Sequence, residues 1–270
     1  MIIYGTRMYF RGNVVKSFAV CDHCGRYSRM TSYQATKFGH IYFIPLLPLG
    51  SKSQVLRECK SCEMGSHIPF TNLEPVVDRV QQRFRSWIEL IQEGQREFED
   101  DGKRYNVGQL ISGILDDLYC LKQIENADSI LTILKSQDMD YEAELVQASW
   151  HQLVGNLDLA KASYYKASKQ CPESGYAYYQ AGQIEVIQGN VQGAESTFEK
   201  YLAIHPNEIS AYVELAGLYE RNKDYPKLIK CYDVLYTLNS SLIANAGMKK
   251  LYKTACKKSG IHGKFIEQMK

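Results

Sequence analysis

Three stretches of the chain align without a gap at an offset of 34 residues: "GNLDLAKASYYKASKQCPES" from Gly155, "GNVQGAESTFEKYLAIHPNE" from Gly189 and "KDYPKLIKCYDVLYTLNSSL" from Lys223. Ala160, Ala194 and Leu228 share one position, Tyr164, Phe198 and Tyr232 another, and Pro172, Pro206 and Ser240 a third. Upstream, Ala148, Gly182 and Ala216 fall in line as small residues. A period of this length marks a supersecondary unit that cannot bury its apolar face alone and does so by stacking on its copies. Much of the chain is therefore committed to an array before any other property is considered.

These segments resemble the tetratricopeptide repeat, a 34-residue helix–turn–helix with small residues where its helices cross and a closing proline. The likeness covers residues 141–242 in three units, with a weaker fourth over 108–140 (Leu115, Leu118, Ala127 and Leu131 in register). Leu228 and Ser240 depart from the pattern in the third unit. Residues 243–258 are expected to form the capping helix, its lysines giving the polar outer face that a cap needs. The resemblance implies a groove lined by Leu145, Ser149, Gln152, Tyr176, Tyr179, Gln180, Gln183, Val213, Glu214 and Glu220. That lining is aromatic, amide and acidic. It lacks the lysines and asparagines with which chaperone-tail binders of this family grip a terminal carboxylate.

Ahead of the repeats, Val77, Val80, Phe84, Trp87, Ile88 and Ile91 fall on one helical face, predicting a linker helix from Val76 towards Phe98. "EDDGKRYN" (99–106) reads as a polar break after it. The helix is a candidate cover for the proline-split apolar run Ile41–Leu49. That run is about half of the roughly 20 residues a membrane span requires. The first residues show no basic leader with an apolar stretch and cleavage site, so a cytoplasmic setting is expected.

The cysteines sort into two groups. Cys21–Cys24 ("CDHC") and Cys59–Cys62 ("CKSC") are paired; Cys120, Cys171, Cys231 and Cys256 are scattered singly and read as buried or semi-buried small apolar residues. Two C-x-x-C pairs in one short segment suit a closed tetrahedral thiolate site, each pair gripping the metal from a tight turn. Zinc is the expected occupant, with iron as the rival, and such a metal stabilises a segment too small to fold by burial alone. Gly25 fits a sharp turn after the first pair, and the second pair has Glu63 and Met64 before its glycine. His23 and His67 lie nearby and are expected to be bystanders.

"IIYGTR" (2–7), the two C-x-x-C pairs and "FIPLLPLG" (43–50) together resemble a small zinc-ribbon family over residues 1–65. The resemblance implies a zinc-bound β-ribbon with Cys21, Cys24, Cys59 and Cys62 as ligands, and it implies no activity. The expected fold class is thus α+β and multidomain: a zinc β-ribbon over 1–70, the linker helix and polar break over 71–106, and an all-α tetratricopeptide-like solenoid over 107–270.

Charge is unevenly spread. Residues 1–70 carry nine Lys/Arg against three Asp/Glu, residues 71–248 carry 16 against 26, and residues 249–270 carry seven lysines against Glu267. No nucleophile elbow, HExxH, Walker A or dinucleotide motif occurs, so neither enzymatic activity nor a small-molecule substrate is expected. The expected function is that of an adaptor whose groove takes a protein or peptide, with the ribbon as a second contact surface. The rival is nucleic-acid binding in transcription or translation through Arg7, Arg11, Arg26 and Arg29, flanked by Lys16, Lys37, Tyr9, Phe10, Tyr27 and Tyr33. An anionic membrane surface ranks third for the same arginines.

Overall fold

The computed structural model describes residues 4–41, 44–100, 103–243 and 246–267, with backbone alone at 4–8, 10, 39–41, 44–51, 100, 103, 242, 243 and 246. The side chain of Arg7 and those of the Ile41–Leu49 run therefore lie outside the described residues. The chain is α+β: a four-stranded antiparallel sheet comes first and helices follow. It divides into two compact units, Met1–Ala167 and Ser168–Lys270.

In the first unit the strands β1 (Tyr4–Val20), β2 (Tyr27–Ile41), β3 (Ile44–Cys59) and β4 (Ser66–Pro69) lie side by side in sequence order. Their pairing runs from Tyr4↔Ile41 to Val20↔Tyr27 and from Ile41↔Ile44 to Met30↔Cys59, with bulges around Gly12 and near Tyr33. Such bulges bend and twist a long ribbon. Tyr33, Ala35 and Val55 form one small core; Met30 packs with Cys21 and Cys59 in another.

Helix α1 (Leu73–Gln92) follows. It stops short of Phe98 because Gly94, at φ 77°, turns the chain, and its N–H closes on the Ile91 carbonyl at 2.9 Å. The stretch expected as a polar break is a β-hairpin, β5 (Glu97–Asp100) with β6 (Lys103–Asn106). In its register Glu97 pairs with Asn106, Phe98 with Tyr105, Glu99 with Arg104 and Asp100 with Lys103, so an acidic and a basic residue face each other at Glu99 and Arg104. Helices α2 (Val107–Cys120), α3 (Asp128–Ser136) and α4 (Asp140–Leu153) complete the unit's helical core around Ile91, Val107, Ile111, Leu115, Leu134 and Val146. Phe84, Trp87 and Ile88 of α1 pack on that same core. The described apolar face of α1 thus serves the helices.

The ribbon meets α2 and α4 through its own contacts. Tyr27 donates to the Gln152 carbonyl at 3.2 Å, Ser17 Oγ lies 3.8 Å from Cys120 Sγ, and Arg57 pairs with both Asp116 and Asp117. The Phe18 ring fills the space beside Gly155, where an added Cβ would sit 2.8 Å from it. Buried Glu142 is held by Arg96 at 3.2 Å and by the Asn106 amide at 2.9 Å, tying the hairpin to α4. An unpartnered carboxylate there would pay its full desolvation cost.

Helix α5 (Leu157–Gln170) spans the boundary between the units. The second unit contains α6 (Tyr176–Gln188), α7 (Val191–Ile204), α8 (Ile209–Asn222), α9 (Tyr225–Leu238), the single turn α10 (Ser240–Ile243) and α11 (Ala246–Ser259). Chain neighbours pack on one another, α6 with α7, α8 with α9, and α9 with α11, around Phe198, Leu215, Leu228, Tyr232, Leu235 and Tyr252.

Helices α5, α7 and α9 are each 14 residues long and begin at 157, 191 and 225. The turn before each repeats bond for bond: Asn156, Asn190 and Asp224 donate their N–H to the carbonyls of His151, Glu185 and Tyr219 at 2.7, 2.9 and 2.9 Å. The residue preceding them is left-handed in all three, Gly155 and Gly189 at φ 88° and 73° and Lys223 at φ 58°. The helical fold is compatible with repeats of this length. The small residue at 182 is explained by a close crossing: a Cβ there would lie 2.9 Å from the Phe198 ring, which is fully buried. Gly182→Val is therefore expected to destabilise the second unit by roughly 1–3 kcal/mol, read as a lower midpoint in denaturant unfolding.

Candidate functional site

The two knuckles are the same turn made twice. Cys21 and Cys59 each donate their N–H to the carbonyl five residues on, Arg26 and Met64, at 3.0 and 2.9 Å. Their carbonyls accept from Gly25 and Glu63, both at 2.8 Å. The position four past the first cysteine is left-handed in both, with Gly25 at φ 66° and Glu63 at φ 60°. Glycine reaches this conformation freely, whereas glutamate gives up about 1 kcal/mol or more to hold it. The missing glycine in the second knuckle therefore changes the energy of the turn and leaves its geometry intact.

The turns bring the four sulfurs of Cys21, Cys24, Cys59 and Cys62 within 4.8 Å of one another. Across the ribbon, Cys21 Sγ lies 3.7 Å from Cys62 Sγ and Cys24 Sγ lies 3.9 Å from Cys59 Sγ. A disulfide needs about 2.05 Å. A regular tetrahedron with metal–sulfur bonds of about 2.3 Å has edges of about 3.8 Å, so the separations match a four-thiolate cage and the site could hold a metal ion.

Without a cation the four groups cannot all be charged. Burial opposes ionisation of Cys59, but the N–H groups of Ser61 and Cys62 outweigh it and draw its thiol down to about 6. The Met64 N–H favours a Cys62 thiolate, yet burial and the neighbouring Cys21, Cys24 and Cys59 push that thiol up to about 12. A bound cation removes the conflict by compensating all four sulfurs. His23 and His67 are exposed and do not join the sulfur cluster, as expected of bystanders. The scattered Cys120, Cys231 and Cys256 are buried; Cys171 is half-buried with its thiol 3.2 Å from Glu173.

Arg11, Tyr27 and Tyr33 of the ribbon are engaged by other residues, while Lys16, Arg26 and Lys37 are exposed. Arg11 pairs with Glu58 at 3.1 Å and lies 4.1 Å above the Tyr33 ring. Tyr33 is itself fully buried and donates to Glu58. Tyr27 stacks on Phe18, with ring centroids 6.2 Å apart. Arg29 is half-buried and Arg26 is exposed. Spacing along the sequence carries no sign of the Arg11–Glu58 pairing, which depends on strand register.

The expected groove residues fall on three helices. On α4, Leu145 is fully buried and has no surface to offer a partner, and Ser149 lies 3.1 Å from the Tyr164 hydroxyl. On α6 and α8 a polar cluster forms: the Gln183 amide donates to the Tyr179 hydroxyl and to Glu214 Oε1, both at 3.3 Å. Tyr176 is half-buried, while Val213 and Glu220 are exposed. Burial raises the Tyr179 phenol above its usual value, and Glu214 and Glu208 add to the rise against an opposing bond from Ser210. Burial likewise pushes Tyr201, 5.2 Å away ring to ring, up to about 12. These phenols therefore remain neutral donors beside two carboxylates.

Among the described residues no helix is long and apolar enough to cross a membrane. No protein-family model matches the chain, and no curated protein matches its sequence.

Metal-free protein titrated with metal is expected to take up one ion per chain, and Cys62→Ser to abolish that uptake, as read by elemental analysis. Glu63→Gly is expected to stabilise the ribbon by roughly 0.5–1 kcal/mol, visible as a higher melting temperature of the metal-loaded protein.

Proposed function

We propose that the protein is a non-enzymatic adaptor whose tetratricopeptide-like helices bind a protein or peptide, steadied by a zinc-pinned ribbon. The observation that carries this reading is the bond-for-bond recurrence of the turns at Asn156, Asn190 and Asp224. Stacked units of this kind expose the first helix of each pair as a binding face. Here α6 and α8 would offer Tyr179, Gln183, Val213 and Glu214. Phenol and amide donors beside carboxylates, with an exposed valine, suit a segment with apolar anchors and one basic residue.

Zinc suits the four-thiolate cage because it accepts tetrahedral sulfur and has no redox chemistry to protect. Its role would be to close the ribbon, with four ligands leaving no position for substrate. The rival use of the ribbon for nucleic acid is less well supported, because Arg11 is paired, Tyr33 is fully buried and Tyr27 already stacks on Phe18.

Capture from nuclease-treated lysate of the host should retain a discrete protein partner. Gln183→Ala combined with Glu214→Lys should weaken that partner at least about tenfold, since a desolvated polar contact contributes 1–3 kcal/mol, while leaving the melting temperature near that of the parent. Undiminished binding by this double variant would sink the reading, as would captured material that disappears with nuclease.

A further inference from the structure

We propose that the outward face of α11 docks on an anionic membrane surface. The chain has no Asp or Glu between Asp233 and Glu267, and that interval holds six lysines. Five of them, Lys249, Lys250, Lys253, Lys257 and Lys258, are on α11. The helix buries Tyr252, Ala255 and Cys256 in the core of the second unit. Opposite that face, Lys250, Lys253, Lys257 and Lys258 are all exposed. From the first to the last is a stretch of nine residues, about 12 Å along the helix axis.

None of these four lysines makes an ion pair among the described residues. Lys258 donates only to the Tyr225 hydroxyl, at 3.1 Å. Asp233, the carboxylate that precedes the helix in the chain, accepts from buried Tyr252. A single helix therefore presents four exposed lysines on one face and has no carboxylate of its own. A capping helix needs a polar outer face, but that requirement would be met equally well by mixed charges, so the single sign calls for an anionic surface outside the protein.

The chemistry of the face selects the kind of surface. It carries no arginine for bidentate recognition of phosphates or bases and no exposed aromatic ring on which an unpaired base could stack. Ile261, two residues past the end of the helix, is 41% exposed. An exposed isoleucine beside lysines gains nothing on a phosphate backbone. At a lipid interface it enters the acyl boundary while the lysine stems reach the headgroups. The site is separate from the α6–α8 face, and its test does not depend on that reading.

The full metal-loaded chain should co-sediment with vesicles of phosphatidylcholine containing phosphatidylserine and not with phosphatidylcholine alone. Binding should fall steeply between low and physiological salt. Each lysine removed should weaken partition about fivefold, so Lys250→Gln, Lys253→Gln and Lys257→Gln together should lower it roughly a hundredfold, with the far-UV spectrum unchanged. The corresponding triple arginine variant should bind as the parent does. Ile261→Ser, with every lysine in place, should weaken binding roughly threefold. Equal binding to neutral and anionic vesicles would overturn the proposal, and so would a glutamine variant that binds as well as the parent. Polyuridylate held more tightly than the vesicles at the same salt, with the same lysine dependence, would overturn it in favour of nucleic acid.

Discussion

Several of the contacts that tie the ribbon to α2 and to the end of α4 lie close in sequence to one of the four clustered sulfurs. Ser17 and Phe18 come just before Cys21, Tyr27 just after Cys24, and Arg57 just before Cys59. Bringing the sulfurs together therefore also aligns a hydroxyl, two rings and a guanidinium with the surface they pack on. The ion pairs alone could not hold this arrangement, since partly exposed pairs contribute under about 1 kcal/mol each. A closed metal cage is stronger by an order of magnitude. It can set the register, and the weaker contacts then specify which helices the ribbon meets.

The parts of this architecture that were legible in the sequence are those encoded over a few residues. Paired cysteines predict a turn and a ligand set together, and the structure brings the sulfurs to tetrahedral separations. The period of 34 was visible because a left-handed residue followed by a capping Asn or Asp recurs in the chain, and the turns are built from those residues. The hairpin formed by β5 and β6 was missed because each strand is only four residues long and offers a single aromatic residue among charged and polar ones, too short for an alternation to stand out. Its one clear signal in the sequence, Asp101–Gly102, was outweighed by the polarity around it. Arg11 looked like a free surface cation because its partner Glu58 is 47 residues away and register alone brings the two together. Leu145 took a groove position only from the register of the resemblance, and burial is decided by packing that a register does not contain.

Both repeated devices tolerate a flaw at the same kind of position. Glu63 stands where the first knuckle has Gly25, and Lys223 stands where earlier turns have Gly155 and Gly189, yet each adopts the left-handed conformation. In both cases hydrogen bonds on either side over-determine the backbone. Cys59 is bonded to Met64 and Glu63, and Tyr219 and Glu220 receive the N–H groups of Asp224 and Lys223. A turn braced in this way absorbs about 1 kcal/mol of strain without changing shape.

The bond pattern of the turns also bears on how the two units acquire their structure. In the second unit packing runs mainly between helices close in the chain, and each turn closes over five residues or fewer. Such local contacts carry little loop-closure entropy and form quickly. The ribbon instead pairs Tyr4 with Ile41 and must bring Cys21 beside Cys62. Its folding search is long-range, so a metal held by the four sulfurs would close the ribbon last, while the second unit assembles at the pace of its own helices.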